Sequence, residues 1–576
     1  MTLQSIILQY IKKSALKNNI PESEISFIYL TKKQNISHYQ INGIIKIAKN
    51  LNINVLKLSK VIMFDLQSYF LFKKIRFCNP GFINIFLNEI WLTRNIEKII
   101  HDKNFGTITT KPQKIVIDYS SPNMAKEMHV GHLRSTILGD VMARILEFVG
   151  HNVIRMNHIG DWGKPFGMLI QFIKEKYSYN QIKKISLPEI EKCYKKSKEI
   201  YKKNLLFQEK SKQCLIYLKN KNQKYTYIWK KIIHTTMEAN KKIYKLLNIT
   251  LEDQHIFGES FYIPMIPELI QDLQIKKIAI EKNNKIIIYI HEIKNKEGKS
   301  MGVIIKKNNN FLYSTIDLAC LKYRIETIKA NKIIYYTDIR QTQHIKQLQI
   351  IAQKSGYIHK KSILEHHTFG MVLSKNNKPF QTRSGKLIKL KQLINQSIKK
   401  SKNVIKNKNP NFRNKKIKNL SKIIGISAIK YADLSHNRKK NYIFNWDKMI
   451  SFNGNTAPYI QYTYTRIQSI IKKSHVHIKF INNKIILKKK IEILLSIKIF
   501  QFQEIIKYVS KTGTPHILCE YLFNLSSLFS ILYEKYPIIY SKIIKVKKSR
   551  LKLSYIIGQI IKTGLNILGI PILKYM

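Results

Sequence analysis

Apolar and polar positions recur with recognisable periods along most of the chain. Lys114-Ile-Val-Ile-Asp-Tyr-Ser120 is a β-branched run of strand length, and Ser121-Pro122-Asn123 interrupts it with turn chemistry. Beyond the turn, Leu133, Ile137, Leu138, Val141, Met142, Ile145, Leu146 and Val149 form a helical stripe that Gly150 closes. Asn152 to Asn157 reads as a second strand. Strand, loop, helix and strand in this order predict a right-handed βαβ unit of a parallel sheet, whose ligands bind beyond the carboxyl ends of the strands.

Elsewhere, Ile6, Ile7, Tyr10 and Ile11 mark a helix, and Pro80 to Leu87 a strand. Residues 174 to 250 keep helical spacing in a lysine- and tyrosine-rich composition, which predicts helices inserted between the two halves of the sheet. In the second half, Lys285 to Ile290 and Met301 to Ile305 read as strands. Phe311 to Ala319 turns into a helix capped by Ser314 or Thr315, and His367 to Leu373 reads as the last strand of the nucleotide domain. From about 415 the pattern is helical throughout, with stripes at Ile460, Tyr464, Ile467 and Ile471 and at Leu553, Ile556, Ile557, Ile560, Ile561 and Leu565. The expected fold class is α/β: a Rossmann-like parallel-sheet catalytic domain with a helical insertion, an N-terminal α+β domain and a C-terminal all-α bundle. The boundaries read as 1–95, 110–400 with the insertion at about 174–250, a helical junction at 401–450, and 451–576.

Lys and Arg number 101 against 35 Asp and Glu, a net charge of +66, which favours phosphate and polyanion partners. Lysine, isoleucine, asparagine and tyrosine are abundant everywhere, as A/T-rich coding also produces, so charge alone locates no site. The five cysteines are scattered without C-x-x-C pairs, which argues against a disulfide framework or a structural zinc and for a reducing compartment. The N-terminus lacks a signal-peptide plan, and no apolar run approaches the roughly 18 residues of a membrane span. A cytoplasmic protein with no membrane partner and no resident metal is expected.

The candidate chemistry lies in the loop of the βαβ unit. His129-x-Gly131-His132 stands at a helix N-terminus, which favours phosphate; imidazole N–H groups add donors, and Gly131 admits a base or ribose close to the backbone. Two such histidines suit stabilisation of charge at the α-phosphorus of ATP, hence nucleotidyl transfer. A loop with two solvated histidines is the alternative.

The stretch SPNMAKEMHVGHLRST, followed by Asn157-His-Ile-Gly-Asp-Trp-Gly163, resembles the class I arginyl-tRNA synthetases, and the resemblance extends over nearly the whole chain. It implies the class I nucleotide-binding fold with an anticodon-binding helical bundle, and ligation of arginine to tRNA(Arg) through an arginyl-adenylate. It also implies ATP with Mg2+ as the substrate complex, a monomer, and no editing site. Carried over position by position, it puts ATP at His129, Gly131, His132 and Val372, with both histidines catalytic. Arginine falls at Asn123, Glu259, Tyr313, Asp317 and Gln341, where two carboxylates and an amide suit the flat donor fork of a guanidinium. Contacts to tRNA fall at Tyr39, Gln40 and Asn42, and at Tyr459, Tyr462 and Arg466 near the entry of the helical bundle. The KMSKS signature that class I synthetases carry on a mobile loop is absent, a loss that many arginine enzymes share. After Leu373 the chain reads SKNNKPFQTRSGKLIKL, and of its cations Lys378, stiffened by Pro379, is the preferred catalytic donor, with Arg383 next. A small-molecule nucleotidyltransferase of the same superfamily and a non-catalytic tRNA-binding protein are the other readings. The N-terminal and helical domains argue against the first, and the intact His129, His132, Asp317 and Glu259 against the second.

Overall fold

Two β-branched runs buried on both faces, Ile115–Ile117 and Ile333–Ile334, form the middle of a parallel sheet. The structure, a computed structural model, describes residues 2–573 apart from 32–36, 101, 103, 106, 108–110, 295–299, 308–309, 359–362, 375, 377–387 and 477–483. Strands β1 (Lys114–Asp118), β2 (Asn152–Met156), β3 (Lys332–Tyr335) and β4 (Ile363–His366) run parallel in the order β4, β3, β1, β2. Asp118 lies beside both Met156 and Tyr335, and Tyr335 beside His366. The four carboxyl ends therefore finish at one level, and the loops that follow them converge.

Helix α1 (Val130–Phe148) joins β1 to β2 with its apolar stripe fully buried. It approaches closely because residue 139 is glycine: a Cβ there would stand 2.2 Å from the Tyr119 Cβ. After β2 come the expected inserted helices, at Lys164–Lys176, Tyr179–Lys184, Leu187–Lys203, Leu205–Lys219 and α2 (Gln223–Leu246). Helices α3 (Tyr313–Glu326), α4 (Thr342–Lys354), α5 (Leu390–Lys408) and α6 (Asn414–Leu434) complete the framework of this unit.

Three sequence expectations change. The runs at 285 and 301 do form strands, Lys285–Lys294 and Ser300–Lys307, but they pair antiparallel in a sheet of their own with Ala279–Lys282 and Asn310–Phe311. The reason is local: Asn283 and Asn284 both have positive φ between paired Lys282 and Lys285, and a two-residue turn can join only antiparallel strands. Ser314 and Thr315 do not cap α3, because their hydroxyls donate to the carbonyls of Ile304 and Ile305. The run at 367–373 splits. The sheet strand ends at His366, and Val372–Leu373 pairs in parallel with Tyr442–Ile443.

Residues 111–450 form one unit, and residues 1–110 together with 451–576 form a second. In the second, an antiparallel sheet (Tyr29–Thr31, Tyr39–Asn42, Phe82–Leu87, Phe72–Cys78) shares its core with the C-terminal helix Lys490–Thr512, through Ile497. The N-terminal and helical parts, separate when read from the sequence, are thus joined by packing between the two ends of the chain. Among the described residues no helix is long and apolar enough to cross a membrane.

Gly139→Ala is expected to lower the stability of the 111–450 unit by about 1–3 kcal/mol through overpacking. The denaturation midpoint followed by tryptophan fluorescence checks this, and an unchanged midpoint would contradict the close contact of α1 with Tyr119.

Candidate active site

The chain leaves β1 through a backbone that most side chains avoid. Ser120, Ser121 and Ala125 have φ of 69°, 43° and 64°, in the left-handed region that costs a non-glycine residue on the order of 1 kcal/mol. Buried hydrogen bonds hold them there. The Ser120 N–H donates to Ser135 Oγ (3.0 Å), the Ser121 N–H to Asn157 Oδ1 (3.0 Å), and the Ala125 N–H to Thr236 Oγ1 (3.2 Å). The Ser121 hydroxyl bonds Asp118, whose other oxygen takes a 2.6 Å bond from fully buried Arg324 of α3. This turn delivers Asn123 to Gly160, with which it forms a parallel bridge. A Cβ built on Gly160 would lie 3.3 Å from Asn123 Oδ1 and 3.8 Å from Glu259 Oε1, so these two polar groups face one point. They line a cavity of about 190 Å3 with Lys126, Trp162 and Tyr194.

The histidines open α1. His129 is its N-cap, accepting at Nδ1 from the Gly131 N–H (3.1 Å), and His132 Nδ1 accepts from the His129 N–H (3.2 Å). A neutral imidazole that accepts at Nδ1 carries its proton at Nε2, so both rings hold an N–H available for donation. Burial, aided by the charges of His129 and Lys126, lowers His132 to about 3, and burial with Lys126 lowers His129. The rings stack at 4.0 Å. The arrangement is a pair of neutral donors at the positive end of a helix, suited to phosphate oxygens.

The acidic side of the site comes from other elements. Asp317, on α3, accepts from His344 Nε2 of α4 at 2.6 Å and lies 3.5 Å from His158 Nε2 after β2. Burial alone would raise its carboxyl, but the two imidazoles outweigh burial and hold it below the usual range. Burial opposes the charge on His158 as well, yet Cys320 and Asp317 keep it well above the ordinary histidine value. Glu259 opens the short helix Glu259–Tyr262, which Asp161 holds through bonds from the Ser260 N–H (2.9 Å) and hydroxyl (2.6 Å). Burial pushes Glu259 up to about 7, the carboxylates of Asp317 and Asp161 adding to it and His158 opposing. A flat cation entering here would restore the ionised carboxyl.

Of the other residues expected here, Tyr313 is exposed at the start of α3 with its ring 5.1 Å from that of His344. Gln341 is exposed in the turn Ile339–Gln341 leading into α4. Val372 is buried opposite Tyr442. Lys378 and Arg383 lie outside the described residues. Sequence reasoning missed His158 and His344 as partners of Asp317. The signal was there in His158-Ile-Gly-Asp161 and in the three-residue step from Gln341 to His344. It also missed Arg134 of α1, whose buried guanidinium donates to the carbonyls of Gly370 (2.8 Å) and Lys440 (3.0 Å) and to Asp433 of α6 (3.3 Å). That cluster fixes the entrance of the segment after Leu373.

In the other unit Tyr39, Gln40 and Asn42, the residues expected at tRNA bases, are all buried. The Tyr39 hydroxyl donates to Glu504 (3.1 Å), Gln40 Nε2 to Asn84 (3.0 Å) and Asn42 Nδ2 to Thr31 (3.0 Å), so these side chains tie the sheet to its neighbours. Tyr459 is half-buried, 3.3 Å from the Ser530 hydroxyl. Exposed Tyr462 meets Arg466, whose guanidinium sits 4.7 Å from the Tyr462 ring and 4.6 Å from that of exposed Tyr533, a residue the sequence pattern did not single out.

Three family models match. Residues 1–87 match the arginyl tRNA synthetase N terminal domain, 95–446 the catalytic domain of the class I (R) tRNA synthetases, and 460–576 the DALR anticodon binding domain. The chain is 51% identical over 580 residues to an arginine–tRNA ligase of Buchnera aphidicola (from Schizaphis graminum), covering 100% of both chains. It is 43% identical over 578 residues to that of Haemophilus influenzae, again over 100% of both. Arginyl-tRNA synthetase from Plasmodium falciparum superposes with a TM-score of 0.84 at 30% identity, over 100% of this chain and 99% of that one.

An ionised Glu259 would favour a guanidinium ligand, so affinity of this pocket for guanidinium compounds such as free arginine is expected to be full above about pH 7. It should fall as pH drops below that value, by up to about tenfold per pH unit. Calorimetric titration across this range checks it, and Glu259→Gln should bind weakly with the slope gone.

Proposed function

The chain belongs to the arginyl-tRNA synthetases, ligases that join arginine to tRNA, and from that premise we propose how its residues divide the work. The observation that carries the assignment is the pairing of both Nδ1 atoms with backbone N–H groups at the start of α1. It leaves His129 and His132 with Nε2–H donors for the α-phosphate of ATP. Glu259 and Asp317 take the guanidinium of arginine, with Tyr313 and Gln341 beside them, and Asn123 takes the backbone end. Held so, a carboxylate oxygen of arginine attacks the α-phosphorus, the bond to pyrophosphate breaks, and arginyl-adenylate forms. A ribose hydroxyl at the tRNA 3′ end then attacks the acyl carbon and AMP leaves. Charge grows on the phosphate oxygens during the first step, so donors already in place lower the barrier with no reorganisation.

ATP enters as its Mg2+ complex, and Gly131, which carries no side chain, and Val372 flank the nucleotide. Lys378, then Arg383, neutralises the departing pyrophosphate. Binding of tRNA contributes free energy to this step. Tyr459, Tyr462 and Arg466 receive the anticodon end. The cation–π stack of Arg466 between Tyr462 and Tyr533 supports this, since exposed aromatic faces beside a guanidinium suit unstacked bases. The enzyme acts as a cytoplasmic monomer, with tRNA contact at 1–95, chemistry at 110–400, a tRNA-facing junction at 401–450 and anticodon binding at 451–576.

Arginine-dependent ATP–pyrophosphate exchange tests the proposal. His129→Ala or His132→Ala is expected to lower the exchange rate on the order of 100-fold with ATP affinity changed far less. Equal losses in both would make the histidines ground-state binders. Exchange should be nearly absent without tRNA and appear when it is added, and Lys378→Ala should depress the stimulated rate while tRNA affinity holds. Robust exchange by the free enzyme would contradict the requirement for tRNA.

A further inference from the structure

Beside the ATP loop lies a second cavity, of about 450 Å3, between α2, the turn around Ile185 to Pro188 and the first residues of α5. Its volume is within the range of small-molecule sites. Met128, Ile185, Leu187, Pro188, Ile243 and Leu246 give it an apolar floor. Lys231, Lys242 and Lys391 stand at its rim, and none of the three is paired with a carboxylate among the described residues. The acids of the wall are already paired: Glu127 with Lys389, itself a lining residue, and Glu238 with Lys241. Thr235 adds a hydroxyl with no hydrogen-bond partner, an unmet polar group in the cavity wall. Residues 231, 235, 238, 242 and 246 step by three or four, so one face of α2 presents this chemistry.

With both glutamates of the wall already paired, the uncompensated charge of such a surface is positive, and a purely polar anion would have no use for its floor. A nucleotide meets both demands, its heterocycle covering apolar surface and its phosphate meeting ammonium groups. The cavity also shares a wall with the reaction. Lys389 forms an antiparallel bridge with His129, the Val130 N–H donates to the Ile388 carbonyl (3.0 Å), and the Leu390 N–H donates to the Met128 carbonyl (2.9 Å). Whatever fills the cavity bears on the ladder that carries the N-cap histidine.

We infer that this cavity binds a nucleotide, base on the apolar floor and phosphate against Lys231, Lys242 and Lys391, and that its occupancy braces the ladder holding His129. Two sources share this chemistry: the single-stranded 3′ end of tRNA, which rests on the ligase reading above, and a free nucleoside monophosphate, which does not.

The full-length enzyme, its Lys231→Ala/Lys242→Ala variant and Ala239→Trp, which fills the cavity without altering charge, separate them. Affinities are measured for intact tRNA, for tRNA lacking its last three nucleotides, and for cytidine monophosphate. If the tRNA end is the occupant, truncation weakens binding to the unaltered enzyme on the order of tenfold and to both variants hardly at all. The slope of log affinity against log salt for intact tRNA should then fall by about 0.7 in the lysine variant, the value for one lost single-strand phosphate contact. If the free nucleotide is the occupant, cytidine monophosphate binds the unaltered enzyme and neither variant, while truncation has one effect on all three. The inference is overturned if truncation has one effect on all three and cytidine monophosphate binds none of them or all alike. Pyrophosphate exchange by the unaltered enzyme is run in parallel, since its loss counts against the ligase reading and not against the cavity.

Discussion

The turn that follows β1 is the constraint on which the site depends. Three non-glycine residues within six positions hold left-handed backbone there, and the chain does not adopt this unaided. Partners from α1, from the loop after β2 and from α2 pin the turn through buried hydrogen bonds, and Asp118 below it is tied to α3 by the Arg324 ion pair. The ATP loop therefore takes its shape only when the sheet, the insertion and the helix bearing Asp317 are assembled. Breaking the Arg324 pair would leave an uncompensated buried charge, which ordinarily costs several kcal/mol.

Electrostatics divides the site into two halves of opposite character. At the start of α1 both imidazoles are neutral, so they donate without adding charge of their own. At Asp317 the imidazoles stand against a carboxylate and keep it ionised, while Glu259, deeper in its own field, sits near the edge of ionisation. A guanidinium placed between them would meet one fixed negative charge and complete a second. Such a pair would favour a cation over a neutral isostere, because an uncharged ligand leaves the second carboxyl protonated.

The other unit shows a different use of buried polar groups. Glu504 accepts from both the Tyr39 hydroxyl and the Gln4 N–H (2.8 Å), and Glu492 is buried with Arg550 at 2.8 Å. The Glu504 contacts join the first and last segments of the chain, and the Glu492 pair ties together the helices of a bundle that displays Tyr462, Arg466 and Tyr533. A rigid support for an exposed stacking platform keeps the ordering cost of RNA binding low.

Local pattern was enough for β1, α1, β2, the helical insertion and the helices after 415, because each carries its own period and its own stop signal, as Gly150 does after α1. The place of His129, Gly131 and His132 at a helix start was equally legible, since it depends only on local spacing. Pairing was not legible. Nothing in the run from Lys285 to Ile290 says which sheet it joins until the Asn283-Asn284 turn is weighed, and the split of 367–373 depends on Tyr442, far along the chain. Tyr39, Gln40 and Asn42 read as a surface motif because their partners Glu504, Asn84 and Thr31 come from other strands and a distant helix. In the same way Asp317, Glu259, His158 and His344 reach one another only because four parallel strands end at one level. Sequence periodicity determined which elements form and what chemistry they carry. Only tertiary structure decided which of those groups meet water and which meet each other, because burial and pairing belong to contacts between segments remote in the chain.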